Sequence, residues 1–122
     1  MSTIFIVGIG GFIGAVCRFG LANFVRSHFS HSFPFATLVI NFLGCAGIGL
    51  FFELFKEHQL FSALSLFVVV GFLGAFTTFS TFSWETVELV RGNQLHLAVL
   101  NVAGSVALCL VGVLFGEWLG HL

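Results

Sequence analysis

Gly71-Phe-Leu-Gly74-Ala-Phe-Thr-Thr-Phe-Ser-Thr-Phe-Ser83 lies in the middle of the third long apolar segment, and its reading decides the fold. Two glycines, five hydroxyl side chains and three phenylalanines spaced three apart (Phe76, Phe79 and Phe82) meet there at membrane depth. Glycine loosens helical geometry and β-branched threonine has restricted rotamers, so the sequence predicts a helix break within Gly74 to Thr78. A break inside lipid frees backbone amides and carbonyls, which is tolerated only against protein or around a water-filled cavity. Beyond the break, Phe79 and Phe82 stand about one helical turn apart and can present neighbouring rings to one wall. Aromatic ring edges carry partial positive charge, so rings turned edge-on can hold an anion without a cationic side chain. The competing reading is packing in a phenylalanine-rich chain, and spacing alone does not separate the two.

Working outward, composition makes this an integral membrane protein. The 122 residues are 58% hydrophobic and 7% charged, with a mean hydropathy of +1.13, where a soluble domain carries about a quarter charged residues. Residues 1–17, 27–52, 58–84 and 92–116 contain no Asp, Glu, Lys or Arg, and a spanning helix needs roughly 20 apolar residues. The expectation is an all-α membrane protein, one domain over 1–122, with spans at about 3–24, 34–55, 61–90 and 95–119. No basic n-region or cleavage site marks a signal peptide, so the first span is expected to be retained. A formal net charge of −1 gives nucleic acid no electrostatic footing. Cys17, Cys45 and Cys109 lie singly in apolar spans without metal spacing and read as small packing residues.

Span one carries Gly10 and Gly14, a GxxxG pair that lets backbones approach closely in lipid. Arg18, one turn later, reads either as a snorkelling arginine or as a fixed positive charge at a vestibule that gathers anions. His28 and His31 belong to an interfacial connector, and Pro34 suits the first turn of span two. That span holds Thr37, Asn41 and the small pair Gly44 and Gly47. Asn41 either bonds a neighbouring helix or donates its amide to a permeating anion. Glu53, Lys56, Glu57, His58 and Gln59 form a solvated connector. Span three is too long for a perpendicular crossing, which tilt or the central break explains. Trp84 fits the aromatic belt, while Glu88 and Arg91, three apart, can pair at the exit. Asn93 is the expected N-cap of span four. Asn101, Ser105 and Cys109 then form one stripe, either interhelical glue or a pore lining, and Gly112, Gly116 and Gly120 a small-residue seam.

Four crossings put both termini on one side. Lys56 shares that side, against Arg26 and Arg91 (with Arg18 if counted) on the other, so the positive-inside rule orients the chain only weakly. A chain that inserts both ways can build an inverted homodimer with its two-fold axis in the membrane plane. Two facing breaks on that axis would offer freed carbonyls to one small cation.

Three motifs coincide: Gly11-x-x-Gly14-Ala15-x-x-Arg18, Thr37-Leu38-x-x-Asn41-x-x-Gly44, and Gly71-x-x-Gly74-x-x-Thr77-Thr78-Phe79-Ser80-Thr81-Phe82. Together they resemble the Fluc (CrcB-type) fluoride channel family over essentially the full chain. The resemblance implies an antiparallel, dual-topology homodimer in a bacterial inner membrane, with two fluoride pores and a central structural sodium ion. It implies pore phenylalanines at Phe79 and Phe82, a pore asparagine at Asn41, and a vestibule arginine at Arg18. Sodium ligands fall on the carbonyls of Gly74 and Thr77, and the acidic residue closing the third motif is Glu85. Ser105 fits the family's hydroxyl track, and Thr78 and Thr81 are counted with the pore.

The residues are consistent with this chemistry, because a selective fluoride pore must replace strongly held water with several donors. No ATP motif or intramembrane carboxylate relay is visible, which favours passive conduction. The alternative is a small dual-topology cation or multidrug exporter, but residues 1–25 lack the buried carboxylate such exporters use. An enzyme is not expected, since no nucleophile–base or metal constellation appears.

Overall fold

The computed structural model describes residues 2–29, 32–58 and 62–122. His31, Gln59 and Phe61, to which the sequence assigns connector roles and the start of span three, lie outside them. Among the described residues all regular structure is helical, and four helices are long and apolar enough to cross a membrane. They run over Ser2–His28, Phe35–Leu54, Ala63–Arg91 and Leu95–His121.

Helix α1 (Ser2–His28) is unbroken and extends four residues past the expected end at Phe24. Arg18, expected near the end of the span, therefore sits about 15 Å from the helix terminus, at 1.5 Å per residue. Helix α2 (Phe35–Leu54) begins after Pro34, whose carbonyl accepts from Leu38 N at 3.3 Å. At its far end Glu53 bonds both Lys56 and His121, the latter at 3.2 Å. The Glu53 bond holds the Lys56 ammonium above the ordinary lysine range.

The third crossing is composite. It starts with α3 (Ala63–Ser65), capped by Ser62. It then widens into a π-helical segment, Leu66–Leu73, before α4 (Gly74–Phe76). Thr77 (φ −82°, ψ 159°) and Thr78 (φ −149°, ψ 119°) are extended, and helix resumes as α5 (Phe79–Arg91). Gly74 itself is helical (φ −61°, ψ −37°), so the backbone departs from helix at the threonines and not at the glycine.

Helix α6 (Leu95–His121) follows a tight connection. Asn93 is not its N-cap: it sits at φ 57°. Asn93 N donates to Val90 O (3.1 Å) and Gln94 N to Leu89 O (2.9 Å), the paired bonds of a Schellman motif closing α5. Asparagine tolerates this left-handed position better than most residues, which is why it stands there.

Packing follows the glycines. A Cβ at Gly10 or Gly14 would run into the backbone of Phe67 or Phe72, and one at Gly71 would lie 2.7 Å from Val7 O. The glycines of α1 thus admit the widened π segment at backbone contact. On the other side, Gly49 lies against Val113 and Gly116 against Ala46 and Leu50, so α2 and α6 pack closely along their length. In both pairs, residue numbers rise together along the contact, so α1 runs parallel to the third crossing and α2 parallel to α6. Ala22, Val25, Ala36, Ile40 and Phe76 form the buried cluster where α1, α2 and α4 meet.

Candidate functional site

Two extended residues inside an apolar crossing demand partners for their backbone groups. Asn41 of α2 supplies them. Its Nδ2 donates to Thr78 O (3.0 Å), and its Oδ1 accepts from Thr78 N (2.9 Å). One amide side chain thus satisfies both backbone groups of a single residue. The Thr78 hydroxyl then caps α5, accepting from Thr81 N at 3.2 Å and donating to Thr81 Oγ1 at 3.0 Å. Thr77 folds back on the preceding helix, with its N and Oγ1 each 3.0 Å from Leu73 O.

These bonds redirect two amides. Thr78 N no longer donates to the carbonyl four residues back, and neither does Thr81 N. With Thr77 and Thr78 extended, the carbonyls at the end of α4 (Gly74, Ala75 and Phe76) and that of Thr77 lose the donors a continuous helix would give them. Gly74 and Thr77, to which the family resemblance assigns cation ligands, are among these four.

Beside this interruption lies a groove of about 290 Å³, lined by residues of α2, α5, α6 and the extended joint. Asn41, Thr77, Thr78, Phe79, Phe82 and Ser105 all contribute, together with Cys45, Val106 and Cys109. The Phe79 and Phe82 rings are 5.5 Å apart between centroids, tilted by 46°. Phe79 is 78% exposed, the groove being open on that side. No charged side chain lines it.

The remaining sequence candidates lie elsewhere. Thr81 and Glu85 line a second groove of about 490 Å³ toward the Arg26 end, shared with Trp84 and Glu88. There Thr37 Oγ1, on a residue only 4% exposed, donates to Glu85 Oε1 at 2.5 Å. Arg91 reaches Glu88 at 2.9 Å and lies 5.6 Å over the Trp84 ring. Arg18 is half-buried on α1 and lines neither groove.

The polar stripe of α6 divides. Asn101, 1% exposed, donates to Thr86 Oγ1 at 2.9 Å and accepts from Ser105 Oγ at 3.3 Å. Thr86 in turn donates to Phe82 O at 2.7 Å. Asn101 therefore bonds α6 to α5, while Ser105 and Cys109 reach the groove. Sequence reasoning passed over Thr86, and it did not see that Cys45 meets Cys109 across the α2–α6 contact. The available signals were that Cys45 stands four residues after Asn41, and Thr86 four after Phe82.

A family model described as "CrcB-like protein, Camphor Resistance (CrcB)" matches residues 5–117. A protein of Campylobacter jejuni named fluoride-specific ion channel FluC is 46% identical over 123 residues, covering 100% of this chain and 97% of that one. Proteins of the same name from Elusimicrobium minutum (47% identical, 95% of this chain and 91% of that one) and Magnetococcus marinus (45%, 95% and 95%) are similarly close.

Proposed function

This chain belongs to the CrcB-like protein family, and from that premise we propose that it is a fluoride-selective channel passing the ion down its gradient through the groove beside Thr78. It is a multi-pass membrane protein and not an enzyme. The observation that carries the route is convergence: Asn41, Thr78, Phe79, Phe82 and Ser105 reach one uncharged groove at the joint between two helices.

Fluoride holds its water strongly, so the wall must offer replacement donors. The Asn41 amide spends one hydrogen on Thr78 O and has a second. The hydroxyls of Thr78 and Ser105 can rotate between internal partners and the groove. Phe79 and Phe82 add ring edges. Several weak donors, with no fixed cation, let an ion bind and still leave. Thr81, Glu85 and Arg26 at the second groove form the approach from water, with Arg18 as a positive charge nearer mid-membrane.

One chain supplies only part of this wall, as the exposure of Phe79 illustrates. A second, inverted copy in the inner membrane completes it, consistent with the weak charge bias of Arg26 and Arg91 against Lys56. The oxygens of Gly74 and Thr77 are among the carbonyls freed where α4 gives way to the extended joint, and carbonyl oxygens suit a small hard cation. They would hold the sodium ion, which when bound adds charge that binds the two copies together. Asn41 and Thr78 keep those carbonyls in place.

The test is transport by purified protein in liposomes. Fluoride efflux far above chloride efflux, without ATP or an imposed proton gradient, is expected. Equal leak of both ions, or of neither, would overturn the reading. The cation-exporter alternative has no carboxylate in residues 1–25 to work with.

A further inference from the structure

The groove also brings together two thiols that fluoride conduction does not use. Cys45 of α2 and Cys109 of α6 both line it, facing each other across the contact between the two helices. Both are free thiols. Their helices are fixed at backbone contact around them: a Cβ at Gly112, one turn after Cys109, would lie 3.3 Å from Cys45 Cβ, and Gly116 abuts the backbone of Ala46. The two sulfurs are therefore held as neighbours by helices that cannot drift apart, while rotation about each χ1 remains.

We propose that Cys45 and Cys109 form a binding site for one two-coordinate soft metal ion of the Hg(II), Ag(I) or Cu(I) class. Sulfur donors select soft ions over the hard cations that carbonyl oxygens prefer. Among the described residues no third Cys, His, Asp or Glu joins the pair, so ions demanding four ligands are poorly served. With Hg(II) the balance is simple. Each thiol gives one proton to water, each thiolate forms one S–Hg bond, and no electron changes hands. The bound ion then lies in the wall shared with Phe79, Phe82 and Ser105.

The test uses the full chain with Cys17→Ala, which removes the exposed third thiol on α1. One equivalent of Hg(II) is added, then a competing small monothiol. Two tethered thiols act at high effective concentration, so the parent should retain its metal against monothiol on the order of a hundredfold more concentrated than strips Cys45→Ser or Cys109→Ser. Maleimide reactivity of both cysteines should vanish together at one ion per chain. Release at the same monothiol concentration from all three proteins, or two ions bound per chain, would overturn the proposal. Metal retention is the readout, so the result stands whether or not fluoride efflux is observed.

Discussion

Asn41 holds the joint of the third crossing together. Removing its amide leaves the Thr78 N–H without a partner at membrane depth and takes one donor from a carbonyl that also starts α5, a cost of about 1–3 kcal/mol for the orphaned group. Asn41→Ala should therefore lower the unfolding midpoint in detergent substantially. Thr78→Val removes the α5 cap and the hydroxyl bond to Thr81 Oγ1 but keeps both backbone bonds to Asn41, and should cost about 1 kcal/mol. A midpoint for Asn41→Ala no lower than that for Thr78→Val would contradict the two-point bond. The sequence marked Asn41 as a residue of interest, yet left its role between glue and donor. Its partner lies 37 residues away on another crossing, and no local pattern reports that distance. Asn93 was misread for a related reason. The same residue type serves helix starts and left-handed helix ends, and only the backbone angle distinguishes them.

At the scale of elements, the glycines make the sharpest claims. Gly14 and Gly116 each sit where a methyl group would strike backbone of the neighbouring helix, whereas Gly8 and Gly104 have nothing within 4 Å. Gly14→Ala and Gly116→Ala should each destabilise by about 1–3 kcal/mol. Gly8→Ala and Gly104→Ala should be neutral or slightly stabilising, because alanine is the better helix former. Thermal unfolding of the four variants in one detergent checks the contrast; equal shifts in all four would refute the packing. The four crossings were legible because every charged residue but Arg18 and Glu85 falls near a helix end or in a connector. The π segment was not. It needs close contact with Gly10 and Gly14 of α1, and the run Leu66–Leu73 reads as ordinary apolar helix by itself. Nor could the sequence tell which crossings pair in parallel, since small residues occur on all four.

For the whole molecule, the proposed inverted dimer makes a prediction about insertion. A cysteine placed at Gln94, in the connection between α5 and α6, in a background with Cys17, Cys45 and Cys109 replaced, should react with an impermeant maleimide from each side of the membrane in about half of the molecules. Labelling from one side alone would remove the basis for an antiparallel pair. Thr78, Phe79 and Phe82 were legible as neighbours because they are adjacent in the chain as well as in space; that they share one groove needed the structure. Ser105 and the thiols reach the same wall from another helix, which spacing alone did not show. The most direct measurement is fluoride efflux per incorporated protein from liposomes carrying the parent, Phe79→Ile or Phe82→Ile. Loss of ring-edge contacts worth about 0.5–1.5 kcal/mol should slow each variant by roughly twofold to tenfold while its elution as a folded assembly is unchanged. Rates equal to the parent's in both variants would contradict a route along these rings.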